Sequence, residues 1–511
     1  MVENTNYTEE LMKRFGKPKF AKKLEKADAA GQVGNMKCLL PDEKIFLNED
    51  FLQIKKSKKG DFVFSHNLKL NKIIGVSKRE HRGQIITLKN SFGKISLTSE
   101  HLVYAIKLPE HYNYKRNKYK QKLIASWYHA GDLKKGDISL YPIDSYVKDL
   151  EELDISLPKL KWDFRSPDLS KKVLLNNNLL RLFGYFLAEG HISEGPSRNY
   201  ITFALNIKEK DISKDIESIV KDLFNLNVTL KEILEKKGLI VSIYNAQLAR
   251  NFKKLFGNGA SNKKIPDFIM HLPPVKQKDL IYGLWKGDGY VNINRNGPRA
   301  EFVTISYQLA QQVKTLLLRQ GIIASFYLDK ARISRWASHK NSYRLHVGQR
   351  ESLKKICSIL KINYCPESYE QIKSWINRNY VYLPISGVEK REYSGEVFNL
   401  EVEDSHSFVS DAFCLHNCGD VMRLELNVDD KTKKIEDIGF QTFGCVAAVA
   451  SSDVVCELAK GKTIEEAKKL TKDDVIKVLG GMPVIKVHCS LLGIEALEKA
   501  IEDYETKQKR R

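Results

Sequence analysis

The sequence predicts a multidomain α+β chain. An all-β module is interrupted by a duplicated α/β module, and both are lodged inside a small α+β domain split into two flanks. Three observations lead there. β-like text occurs in two separated stretches, 38–142 and 382–416. Between them lie two similar helix-led blocks roughly 100 residues apart, which is an internal duplication. Charge divides the chain in the same way. Residues 1–37 carry 8 Lys/Arg against 5 Asp/Glu, residues 418–511 carry 16 against 17, and the middle holds 60 against 41.

Taken in order, residues 1–37 are short and Lys-rich, with turn signals at Gly31 and Gly34, and cannot form a core alone. Beyond Cys38, Gln84–Leu88 and Lys94–Leu97 flank a polar Asn-Ser-Phe-Gly tip, the pattern of a β-hairpin. Residues 143–175 are polar and give few signals. The two blocks open with apolar helices over about 178–190 and 278–289. β texture returns at Gly395–Val402 and Phe408–Leu415. The last segment reads as strands near 421–428 and 435–442, then helices near 446–460, 463–470 and 490–507.

A chain of 511 residues has room for several cores. No apolar run reaches about 18 residues, so no membrane span is expected. The polar start MVENTNYTEE lacks the pattern of a secretory signal, and a cytoplasmic protein is expected. The net +19 of the middle segment suits a polyanion such as DNA or RNA, the bland alternative being a Lys-rich solvated surface. The eight cysteines, at 38, 357, 365, 414, 418, 445, 456 and 489, form no disulfide-dense module, and free thiols are expected.

Cys38 and Asn417-Cys418 bracket the middle block. A chain that breaks its own peptide bonds needs internal nucleophiles and histidines to manage protons. The Cys38 thiol can turn the Lys37–Cys38 amide into a thioester, Cys418 can take over the acyl group, and Asn417 can cyclise through its own side-chain amide. Histidines stand beside these positions: His101 in Leu-Thr-Ser-Glu-His, His406 in Glu-Asp-Ser-His-Ser-Phe, and His416 directly before Asn417.

With these residues in this order, the block resembles the Hint-fold inteins. Cys38 fits their first residue, Thr98 to His101 their Thr-x-x-His element, Gly395–Phe408 their penultimate strand block, and His416-Asn417-Cys418 their C-terminal junction. The resemblance implies self-excision of residues 38–417 by an all-β Hint splicing domain in two parts, 38–145 and 377–417. It implies that His101 distorts or protonates the scissile amide nitrogen, that Thr98 supplies a polar contact, and that His406 and His416 assist Asn417. Asn399 departs from the pattern, standing where many inteins carry an acid.

The two block-opening helices read Leu182-Phe-Gly-Tyr-Phe-Leu-Ala-Glu-Gly190 and Ile281-Tyr-Gly-Leu-Trp-Lys-Gly-Asp-Gly289. Small residues four apart, Gly184/Ala188 and Gly283/Gly287, give each helix a flat stripe on which two backbones can approach closely. An acid follows at the same offset in both, Glu189 and Asp288. Packing the stripes brings two carboxylates together at negative helix ends, which a divalent cation relieves. Paired metal-bound carboxylates serve phosphodiester hydrolysis. The alternative is a pair of core helices punctuated by glycine. The blocks resemble the two-motif LAGLIDADG homing endonucleases. That resemblance implies an αββαββα pair over 146–376, a saddle on double-stranded DNA, and Mg2+ held by Glu189 and Asp288. A lysine that tunes the attacking water cannot be placed from sequence.

Joining residues 1–37 to 418–511 gives a 131-residue product. Cys418, Cys445 before an Ala/Val-rich helix, and Cys489 in Val-His-Cys-Ser are thiolate candidates for an iron–sulfur cluster or zinc. The joined text resembles the U-type (NifU/IscU-like) iron–sulfur cluster assembly scaffolds, with Cys418, Asp420, Cys445, His488 and Cys489 at the cluster positions. It implies a [2Fe-2S] cluster, a cysteine desulfurase as sulfur donor, and apo iron–sulfur proteins as acceptors. Met482-Pro-Val-Ile-Lys486 departs from the usual chaperone-recognition stretch. Zn2+ in place of the cluster, a zinc-binding sulfur-transfer host, and an insert that has kept splicing but lost cutting stay open. Cys456, within a helix, is expected to be core.

Overall fold

The computed structural model describes residues 7–33, 37–109, 123–160, 162–163, 166–195, 198–294, 297–333, 338–365, 374–416, 421–482 and 487–510. Three hydrophobic cores organise them.

The first core joins the two ends of the chain. Strand Ala29–Val33 pairs antiparallel with Val421–Val428, from Ala29 opposite Leu426 to Val33 opposite Met422, and Ile435–Phe443 completes the sheet. Alternation along the strands turns Met422, Leu424 and Leu426 inward onto helices Val446–Ala459 and Val487–Arg510. Helix Glu9–Gly16 packs on Val446–Ala459 and buries Leu11. Gly31 lies so close to the C-terminal helix that a Cβ would stand 2.2 Å from the Ala496 carbonyl. Arg14 reaches Asp453 at 3.2 Å and Glu457 at 2.7 Å, and the Phe20 amide donates to the same Asp453 at 2.9 Å. The expected strands and helices of the last segment are present, with the final helix beginning at Val487 and an unexpected short helix at Lys472–Val478. The helix and strand of the N-terminal flank carried too little periodicity to be read.

The second core belongs to a β module. Strand Leu70–Asn90 pairs along nearly its whole length with Gly387–Val402, and in the same sheet it pairs with Gly93–Thr98. A second sheet runs 375–376, 380–384, 138–142, 102–106, 414–416, 407–409. The expected hairpin turns at Asn90 opposite Gly93, but its strand is far longer than 84–88, and its tip is not polar: Phe92 is wholly buried. Residue Leu39 bridges to both Leu97 and Phe398, which seats it between strands Gly93–Thr98 and Gly387–Val402.

The third core is the duplicated module. Each half runs helix, two strands, helix, two strands, helix, from Asn177–Glu189 to Ala246–Phe256 and from Pro274–Asp288 to Arg350–Ile359, with a small extra hairpin, Arg332–Ile333/Ser338–His339, between the last two strands of the second half. Strand order is equivalent in the two sheets: 190–195, 198–206, 238–243, 229–233 in one, and 289–292, 299–304, 342–347, 325–329 in the other. Asn176 caps the first motif helix by accepting from the Leu179 amide, and Pro274 starts the second, where no amide donor is needed.

Candidate functional sites

At the N-terminal seam, the amide of Cys38 donates to Thr98 Oγ1 at 3.1 Å, and the Thr98 amide donates back to the Cys38 carbonyl at 3.0 Å. That first N–H belongs to the Lys37–Cys38 peptide. The Cys38 thiol is buried, and burial pushes it up to about 11 against the pull of the Arg79 guanidinium, which hydrogen-bonds it. The ring of His101 is fully buried against the backbone of Lys37 and Cys38, with neither nitrogen in a well-formed hydrogen bond. Burial, with Lys37 nearby, drives it down to about 3, so the imidazole is neutral at physiological pH. Asn399 is buried with its Oδ1 unpaired, next along the strand from Phe398, which exchanges backbone hydrogen bonds with Leu39.

The C-terminal seam lies on a neighbouring strand. His416 pairs with Leu102, the residue after His101, and with Ser407, the residue after His406. The His406 and His416 rings are 6.4 Å apart, and His406 takes a left-handed backbone (φ 46°) at the turn into the strand. Trp127 packs edge-on against His416 at 4.8 Å. Asn417, Cys418 and Asp420 lie outside the described residues. The structure thus brings together Cys38, Thr98 and His101 in one cluster and His406 and His416 in another, linked through Leu102, which follows His101 and pairs with His416. Arg79 escaped the sequence reading; it lies mid-strand, and only pairing across the chain puts it at Cys38.

In the duplicated module the two motif helices touch along their small residues. A Cβ at Gly184 would lie 2.4 Å from the Leu280 carbonyl, and one at Gly283 2.4 Å from the Arg181 carbonyl. The helices therefore meet backbone to backbone, and Glu189 and Asp288 converge where they end. Burial and the charge of Asp288 push Glu189 up to about 7, and burial pushes Asp288 up to about 6. Lys263 completes the group. Its ammonium donates to the Ala188 carbonyl at 2.7 Å, both acids act on it, and burial lowers it to about 8. Sequence could not find Lys263, since it sits in an irregular segment after the last helix of the first half. Among the described residues no three His, Cys, Asp or Glu side chains are grouped to hold a metal. The carboxylate pair still fits a hard divalent cation, because two half-buried oxygen donors that repel each other are relieved by one.

The sheet of the second half presents basic and aromatic side chains. Glu301 holds Arg299, Arg344 and His346 at 3.3, 3.6 and 3.0 Å. Arg299 stacks over Tyr290 and Arg344 over Tyr327, both at 5.5 Å. Such a surface suits a phosphate backbone.

In the flank domain, Cys445 is the N-terminal cap residue of helix Val446–Ala459, partly exposed. His488 and Cys489 lie in the first turn of the last helix; their side chains are outside the described residues, as are Cys418 and Asp420. Cys456 is wholly buried, as a core residue should be.

Residues 401–511 match the family described as NifU-like N terminal domain, and residues 176–257 and 276–361 match the LAGLIDADG-like domain. An uncharacterized protein of Methanocaldococcus jannaschii is 32% identical over 419 residues, 76% of this chain and 51% of its own length. The ATP-dependent DNA helicase Hel308 of Thermococcus kodakarensis is 25% identical over 414 residues, 74% of this chain and 36% of its own. The iron-sulfur cluster assembly scaffold protein IscU 1 of Archaeoglobus fulgidus is 56% identical over 87 residues, 17% of this chain and 56% of its own. The chain thus spans between a third and just over half of each of these relatives. Among solved structures, mesophilic variants of the homing endonuclease I-DmoI are similar with a TM-score of 0.29 and 14% identity, over 37% of this chain and 98% of theirs.

Proposed function

We propose that this chain, which joins a NifU-like domain to a LAGLIDADG-like domain, is a self-splicing precursor: residues 38–417 excise themselves as an intein carrying a DNA endonuclease, and the flanks become an iron–sulfur cluster assembly scaffold. One observation carries the reading. The flanks, separated by 380 residues of sequence, pair as neighbouring strands with Val33 opposite Met422, while both ends of the insert are held in its own β module, Leu39 between Leu97 and Phe398 and His416 opposite Leu102. An insertion into a folded domain requires both. The relatives support it: one stretch of about three quarters of the chain is shared with part of a DNA helicase, and another of 17% with an IscU protein.

In this reading the Cys38 sulfur attacks the Lys37 carbonyl carbon, the bond to the Cys38 nitrogen breaks, and that nitrogen takes up a proton. Thr98 holds the amide N–H of this bond, Arg79 favours the thiolate, and neutral His101 relays the proton from sulfur to nitrogen. Cys418 then attacks the thioester, releasing the Cys38 thiol. The Asn417 side-chain nitrogen closes on its own carbonyl, breaking the bond to Cys418 with His406 and His416 beside it. The freed Cys418 amine displaces sulfur from the Lys37 carbonyl and restores an amide.

In the endonuclease, Glu189 and Asp288 would hold Mg2+, which when bound polarises a phosphate and activates water. Lys263, held on the Ala188 carbonyl beside both acids and lowered by burial, would hold or give up a proton at its amine. The DNA lies on the two sheets. The scaffold takes its cluster as cargo on Cys418, Asp420, Cys445, His488 and Cys489, with sulfur from a cysteine desulfurase and delivery to apo iron–sulfur proteins. Intact-mass analysis of the expressed full chain tests the central claim. Products of 131 and 380 residues are expected; unprocessed chain alone, across temperature and reductant, overturns it.

A further inference from the structure

The hairpin Ser407–Val409/Cys414–His416 carries the two junction histidines at one end. Its tip, residues 410–413, is held from the duplicated module. The Tyr307 hydroxyl donates to the Asp411 carboxylate at 2.7 Å, and the Lys314 ammonium donates to the Asp411 carbonyl at 2.5 Å. Both donors lie on one face of helix Tyr307–Arg319, two turns apart. Lys314 is wholly buried, with Phe51, Phe92 and Tyr141 of the β module and Phe326 of the duplicated module around its ammonium at 4.9–5.7 Å. Lys44 lies 3.0 Å over the Tyr307 ring. Leu318 and Ile323 belong to the hydrophobic core of the β module, and the Phe326 amide donates to the Ser91 carbonyl at 2.8 Å.

Burying an ammonium is costly, and burial lowers Lys314 to about 7. An apolar residue would fill the same aromatic pocket at less cost. What only a donor provides is the hydrogen bond to the hairpin tip.

We propose that Tyr307 and Lys314 are positioning residues for the C-terminal splice junction: the endonuclease helix clamps Asp411 and, through the hairpin, sets His406 and His416 against Asn417. The endonuclease is then a working part of the splicing apparatus. The inference rests on the splicing reading above. Its distinguishing feature is an unequal effect: Cys38 is held directly by Thr98 and by Leu39 between Leu97 and Phe398, and the hairpin tip meets the N-terminal segment only further on, at Lys44 and Ile45, so the N-terminal step should lose less.

The test uses the full chain with Lys314→Met, which keeps the apolar stem and loses the donor, and Tyr307→Phe, which removes one hydroxyl. Thioester at Lys37 is trapped with hydroxylamine, and release of the C-terminal flank is followed by intact mass. In Lys314→Met, flank release should slow roughly tenfold, the change produced by losing about 1.4 kcal/mol at the transition state, while thioester formation stays within about twofold. Tyr307→Phe should show the same split more weakly. Unchanged release in both variants overturns the inference, as does equal loss of both steps in both. Should Lys314→Met fail to fold, Tyr307→Phe decides. If the unaltered chain forms neither thioester nor released flank, the splicing reading falls first and takes this inference with it.

Discussion

Glu189 and Asp288 show how position sets chemistry at a single residue. Each would ionise near pH 4 in water, and burial at the meeting of two negative helix ends raises them to about 7 and about 6. Their folded values lie above their unfolded ones, so the folded module binds more protons than the unfolded chain between those values. Stability from this pair is therefore present at low pH and is lost as pH rises through about 6 to 7. A divalent cation reverses the sign locally. Mg2+ should raise the melting temperature of the metal-free protein more at pH 8 than at pH 5.5, and Glu189→Gln should shrink that difference while removing DNA cleavage. Equal Mg2+ effects at the two pH values in differential scanning fluorimetry would remove the pair as the metal site. The matched offset of the two acids was legible in the sequence. Lys263 was not, because nothing local distinguishes it from the other lysines of a Lys-rich segment.

At the scale of elements, the motif helices depend on the absence of side chains. Gly184 and Gly283 face backbone atoms across the interface, which cannot move aside as a flexible side chain would. Gly184→Ala should destabilise the duplicated module by about 1–3 kcal/mol and draw the two acids apart, lowering cleavage with it. Gly16→Ala, with nothing within 4 Å of its new Cβ, is the matched control and should leave both unchanged. Thermal melts and cleavage of the same preparations read the two effects. The helix repeat was visible because a four-residue spacing of small residues survives in the text. The hairpin at 90–93 was visible too, but its tip was misjudged: Phe92 reads as part of a polar turn, and only the packing of the two sheets turns it inward.

For the whole molecule, the two flanks share one sheet and one hydrophobic core. Arg14 has little exposure and is shared by Glu10, Asp453 and Glu457, with Asp453 itself fully buried. Arg14→Ala leaves that carboxylate with the Phe20 amide but without its guanidinium partner, a loss of about 3–5 kcal/mol for a buried ion pair broken on one side. Since the flanks hold Val33 beside Met422, this substitution, far from either seam in sequence, should lower the yield of spliced product measured by intact mass. Splicing at the unaltered yield would mean that the insert aligns the junctions without its host.

The sequence alone carried the order of the modules, the cysteines at the seams, the duplicated helices and their acids, because these rest on residue identity and short-range spacing. The tertiary structure decided which distant residues meet: Arg79 with Cys38, Lys263 with the two acids, Lys314 with Asp411, and the N-terminal strand with the C-terminal flank. Those pairings come from strand register and helix packing across hundreds of residues, and the contacts that choose them leave no periodic trace in either partner.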